Sequence, residues 1–98
     1  MTVQLALTVN GAPIQTDYFV QAFIDHTVSG MIEALEGTGK IKDLEMSIDG
    51  DKVTVHLNGA NVPVNAFASK MLKSTTAGML SPLKGVKDVK GVKITLNK

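Results

Sequence analysis

Thr27-Val28-Ser29-Gly30-Met31-Ile32-Glu33-Ala34-Leu35-Glu36-Gly37 returns as Thr75-Thr76-Ala77-Gly78-Met79-Leu80-Ser81-Pro82-Leu83-Lys84-Gly85, at an offset of 48 residues. The same offset holds outward from this stretch without a gap. Ten positions are identical across it: Asn10/Asn58, Gly11/Gly59, Ala12/Ala60, Phe19/Phe67, Thr27/Thr75, Gly30/Gly78, Met31/Met79, Leu35/Leu83, Gly37/Gly85 and Lys42/Lys90. Average residue usage gives about three by chance over this length. Two units are too few for a solenoid, which needs at least three stacked repeats. The reading is one domain, residues 1–98, made of two tandem repeats, 1–49 and 50–98.

Each unit opens with period-two alternation. Val3, Leu5, Leu7 and Val9 alternate with polar or small residues, as do Val53, Val55 and Leu57. That is the pattern of a strand with one buried and one wet face. Both strands stop at Asn-Gly, a strong tight-turn signal. The segments after the turns, Ala12–Gln15 and Asn61–Val64, contain Pro13 and Pro63 and suit brief edge strands.

Helical spacing follows. Phe19, Val20, Phe23, Ile24, Val28, Met31, Ile32 and Leu35 form one apolar stripe. Phe67, Ala68, Met71, Leu72, Met79, Leu80 and Leu83 form the other. All of these, the phenylalanines included, are expected in the core. Asp17 and Asn65 are the expected N-caps, and Gly37 and Gly85 suit the C′ position. Pro82 predicts a late kink or an early helix end. Gly30 and Gly78 are expected at close packing contacts, where a larger side chain would overpack.

Each unit closes on a second alternating strand, Leu44-Met46-Ile48 and Val92-Ile94-Leu96. Asp49-Gly50 reads as the two-residue hairpin joining the units. The order β-α-β-β-α-β predicts an α+β two-layer sandwich, with a four-stranded antiparallel sheet and both helices on one face, ferredoxin-like. A (ββαβ)2 variant with extra short hairpin strands is the alternative. That architecture hosts many unrelated functions, so function has to be sought in side chains.

Composition narrows the classes. The chain is 44% hydrophobic and 19% charged, ordinary globular usage. No run approaches the 18–20 apolar residues of a membrane span. Met1–Ala6 shows no basic n-region before a long apolar stretch, so no secretory signal is expected there. Cysteine is absent, which excludes disulfides and thiolate chemistry in the chain. A cytoplasmic protein without a membrane partner is expected.

Chemical motifs are weak. His26 and His56 have no metal-ligand spacing around them and read as surface histidines. Glu36-Gly37-Thr38-Gly39-Lys40 superficially resembles a phosphate loop, but it lacks the full G-x-x-x-x-G-K-S/T pattern and follows a helix instead of preceding one. Lys84, Lys87, Lys90 and Lys93 form a basic run. However, the predicted open sheet face (Gln4, Ala6, Thr8, Glu45, Ser47, Thr54, His56, Lys93, Thr95) carries no aromatic to stack a base. The serines sit in no nucleophile-elbow context. No catalytic residue, cofactor or metal site is assigned.

Charge carries the remaining information. The net charge of +1 hides two lysines and seven acids in residues 1–49, against eight lysines and two acids in 50–98. Asp25/Lys73, Glu36/Lys84 and Glu45/Lys93 are repeat-equivalent positions of opposite sign. These six residues are the expected interaction surface of a non-enzymatic assembly domain that self-associates, acidic side to basic side, in a salt-sensitive way. The alternatives are a small-ligand binder using the polar sheet face or a helix–sheet groove, and nucleic-acid binding through the lysine-rich second half.

Overall fold

The computed structural model describes residues 4–36, 41–83, 86 and 89–97; for Leu35 and Glu36 it describes the backbone alone. The elements are β1 (Gln4–Val9), β2 (Ala12–Pro13), α1 (Tyr18–Glu36), β3 (Asp43–Asp49), β4 (Lys52–Leu57), β5 (Ala60–Val62), α2 (Ala66–Leu80) and β6 (Gly91–Asn97). The protein is α+β, with an open, all-antiparallel six-stranded sheet in the order β2-β1-β6-β3-β4-β5.

The sheet begins at its turns. Asn10 and Gly11 both have positive φ, 52° and 82°, and so do Asn58 and Gly59, 51° and 84°. Positive φ at both central residues is the type I′ geometry that matches strand twist, and Asn-Gly supplies it at least cost. The turns fold β2 back on β1 (Val9↔Ala12) and β5 back on β4 (Leu57↔Ala60).

Each asparagine also ties its turn to the other half of the chain. Asn10 Oδ1 accepts from the amides of Lys90 (2.8 Å) and Gly91 (2.9 Å), and the Asn10 amide donates to the Gly91 carbonyl (2.7 Å). Asn58 does the same with Lys42 (2.8 Å) and Asp43 (3.0 Å), its amide donating to the Asp43 carbonyl (2.7 Å). These contacts fix where β6 starts against β1 and where β3 starts against β4.

Three corrections follow. The sheet has six strands where four were expected. The ferredoxin-like order is also replaced: the strands that follow the helices, β3 and β6, are central, and those that precede them, β1 and β4, lie outside. The reason is edge occupancy. β1 and β4 each give one edge to the partner their own Asn-Gly turn supplies, so only one edge is left for a long strand. The β3–β4 hairpin turn is likewise Gly50-Asp51, one residue later than expected, because Asp49 pairs with Lys52 and Gly50 takes φ 60° at the first central position.

At the centre, Met46 pairs with Ile94, 48 residues away. An approximate two-fold axis normal to the sheet passes between them. It relates β3 to β6, β1 to β4 and α1 to α2, and the pairing registers obey it: Gln4↔Asn97 corresponds to Lys52↔Asp49.

Both predicted N-caps form. The Val20 amide donates to Asp17 Oδ1 (2.8 Å) and the Ala68 amide to Asn65 Oδ1 (2.7 Å). α2 ends at Leu80, before Pro82, which has no N–H for the Gly78 carbonyl. Ser81 Oγ donates to that carbonyl instead (3.2 Å). Gly85 is therefore not next to the end of α2, and Gly37 and Gly85 lie outside the described residues.

One sheet face meets the helices. Leu7, Val9, Leu44, Met46, Ile48, Val55, Leu57, Val92, Ile94 and Leu96 pack against Ile24, Val28, Ile32, Leu72 and Leu80, all buried. Thr76 stands where the first half has Val28. Both are fully buried, and Thr76 Oγ1 has no hydrogen-bond partner.

Two predictions follow from this packing. Asn10→Ala or Asn58→Ala should lower stability by about 2 kcal/mol, through left-handed strain and the loss of two exposed hydrogen bonds to strand amides, and Asn→Gly by about 1 kcal/mol less. Urea unfolding measures this; equal losses would show that backbone conformation contributes nothing. Thr76→Val should gain about 1 kcal/mol, because it removes an unpaired buried hydroxyl at nearly constant volume. A lower melting temperature for that variant would show that the hydroxyl is satisfied.

Candidate functional site

Both helices are apolar around more than half their circumference, and a sheet covers one side only. At 100° per residue, Ile24, Val28 and Ile32 of α1 turn toward the sheet, while Phe19, Phe23 and Gly30 lie on the opposite side. In α2, Leu72, Thr76 and Leu80 turn inward and Phe67, Met71 and Gly78 outward. The buried positions go to aliphatic residues and the exposed ones to rings. Tyr18 is 88% exposed, Phe19 72%, Phe67 73%, Met71 54% and Phe23 50%. These include all four aromatic residues of the chain. The expectation that the phenylalanines fill the core is thus corrected.

The outward residues are arranged. The Phe19 and Phe23 rings sit one helical turn apart, with centroids 6.1 Å apart and planes tilted by 42°. α1 and α2 run antiparallel with two apolar grooves between them. One groove, of about 280 Å³, is lined by Met31, Ala34, Phe67, Ala68, Met71, Leu72 and Thr75. The other, of about 200 Å³, is lined by Phe19, Val20, Phe23, Ile24, Met79, Pro82 and Leu83. The two-fold axis exchanges them: Phe19 corresponds to Phe67, Phe23 to Met71 and Met79 to Met31. An open hollow beside Phe19 and Phe23 also includes Ala22, His26 and Thr27.

Gly30 and Gly78 are exposed, and a Cβ on either would meet nothing within 4 Å. Close packing within the chain therefore does not account for them, contrary to expectation. Glycine in an exposed helix interior costs stability relative to alanine.

The six charged residues proposed from the repeat do not share one surface. Asp25 is buried, at 8% exposure, and accepts from Ser29 Oγ (3.1 Å). Glu45 and Lys93 lie on the sheet face away from the helices and approach one another at 3.7 Å. Lys73 donates to Asp51 Oδ1 (2.6 Å), and its ammonium holds the Asp51 carboxyl below the usual carboxylate range. A lowered carboxylate contributes stability above its unfolded value and loses it as pH falls through the folded one. The exposure of Asp51 keeps that contribution small. The side chains of Glu36 and Lys84 lie outside the described residues, as do 37–40 of the glycine-rich loop and Lys87 of the basic run. Lys90 is exposed.

The polar sheet face carries the expected residues in two cross-strand rows, Ala6-Thr95-Glu45-His56 and Thr8-Lys93-Ser47-Thr54. His26 and His56 are both exposed, on opposite faces of the molecule. Among the described residues, no group of three His, Asp or Glu could hold a metal, and no helix is long and apolar enough to cross a membrane.

The signal for the exposed aromatic face was present in the sequence: the apolar stripes are wider than one sheet can cover. No protein-family model matches the chain, and no match was found among curated proteins or solved structures.

Gly30→Ala and Gly78→Ala should each raise stability by about 0.5–1 kcal/mol, since alanine fits the space and restricts the unfolded chain. Thermal unfolding of dilute protein tests this; a loss in either variant would show a close contact at that glycine.

Proposed function

We propose that this chain is a small non-enzymatic interaction domain that self-associates through its helical layer. The carrying observation is that every aromatic residue lies exposed on that layer while the core is aliphatic. Exposed large apolar side chains grouped on one face mark contact surfaces, because leaving them in water costs about 25 cal/mol per Å². Aromatic residues and methionine are also the types enriched in such surfaces. The sequence repeat at an offset of 48 residues fits this reading, since it presents the same contact residues twice. A cytoplasmic location is part of the proposal.

The small-ligand reading is weaker. The interhelical grooves fall below the roughly 300–1,000 Å³ of typical ligand sites and bring few polar groups together. Nucleic-acid binding is weaker still, because Lys73 and Lys93 face acids of the same chain and the sheet face has no Phe, Tyr or Trp ring for stacking, only the His56 imidazole.

Light-scattering mass across a concentration series checks the proposal. The expected mass rises above the 10.4 kDa of one chain. A mass of one chain at every concentration would contradict it.

A further inference from the structure

The occupant of the aromatic face can be specified from charge, size and symmetry; this step rests on the proposed self-association and adds its geometry. We infer that a second copy of this chain packs helical layer to helical layer, about a two-fold axis parallel to the helices, so that α1 of one copy lies on α2 of the other.

Charge selects this axis. Among the described residues the exposed acid of α1 is Glu33 and the exposed cation of α2 is Lys70, while Lys73 is half-buried and paired with Asp51. Met31 and Ala34 share a groove with Phe67, Ala68 and Met71, so Glu33 and Lys70 stand at the same end of the layer, one on each helix. A two-fold axis along the helices brings Glu33 against the partner's Lys70, and by symmetry Lys70 against the partner's Glu33. An axis across the helices would instead set Glu33 against the start of the partner's α1, among aromatic residues, and would bring no acid of the partner to Lys70, which has only Asp51 of its own chain near it.

Size and shape agree. The broad face spans 34 × 33 Å, room for the roughly 800 Å² per partner of a standard interface. Phe23 lies level with Met79 in its groove. The same axis therefore carries Phe23 over the partner's Gly78, and Met71 over the partner's Gly30. A large apolar side chain over a glycine lets two helices approach closely, which gives both exposed glycines a use.

A lipid surface fits less well, since interfacial helices are basic on their polar side whereas α1 exposes Glu33 and no lysine.

The test is sedimentation equilibrium of the whole chain and four variants, with far-UV circular dichroism confirming the fold of each. Phe23→Glu should weaken the dimer by about a hundredfold or more. Glu33→Lys and Lys70→Glu should each weaken it by about tenfold, and Glu33→Lys/Lys70→Glu should restore it to within about threefold. Association that survives Phe23→Glu, or a double variant weaker than either single one, overturns this geometry and leaves self-association standing. A wild-type chain that stays monomeric overturns both. A monomer that binds phosphatidylcholine–phosphatidylglycerol vesicles through Phe23 assigns the face to lipid and overturns the dimer.

Discussion

The fold depends on a pair of asparagines. A residue at the first position of a type I′ turn must accept positive φ, and asparagine tolerates that conformation better than other side-chain-bearing residues. Here the same side chain turns back and accepts two amides at the start of a strand from the other half of the chain. One residue type thus sets the turn, closes the hairpin and fixes the register of the next strand. A one-residue slip would move every inward side chain to the wet face, so that register decides the core.

The result is interleaved. β1 pairs with β6 and β3 with β4, so each half contributes its opening hairpin to the other half's closing strand. Neither half has its own first and last strands side by side. The central β3–β6 pair, with Met46 against Ile94, is fully buried on the helix side and joins the two halves into one sheet. Where the halves differ, the fold tolerates the difference. Thr76 replaces Val28 in the core, and Glu45 and Lys93 meet as an exposed pair beside the axis.

Strands, the two Asn-Gly turns and N-caps are legible because each rests on local chemistry: alternation, Asn-Gly, and Asp17 or Asn65 ahead of an apolar run; the Asp49-Gly50 turn falls one residue later, at Gly50-Asp51. Strand order differs from the ferredoxin-like expectation, although the sequence holds the information for it. A strand whose following turn supplies a hairpin partner has only one edge left, and that consequence of Asn10-Gly11 and Asn58-Gly59 excludes a central place for β1 and β4. The site was harder to read. Periodicity shows that Phe19, Phe23, Ile24 and Val28 are all apolar, but not which arc of an overly wide stripe meets the sheet. That choice is made in three dimensions, where aliphatic side chains fill the space over the sheet and the rings are left outside. Likewise, sign reversals between the halves were visible, but not that Glu45 would find Lys93 and Lys73 would find Asp51 within one chain.

The molecule therefore has two unlike broad faces, a polar sheet and an aromatic helical layer with a groove on either side of the two-fold axis. In the proposed self-association the helical layer is covered in solution and the sheet is not. The most direct measurement is nuclear magnetic resonance with a soluble paramagnetic probe, at low and high protein concentration. The account predicts that the ring protons of Phe19, Phe23 and Phe67 become shielded from the probe as concentration rises, while Thr54, His56 and Thr95 stay accessible. Shielding of the sheet residues with the rings still accessible would contradict it.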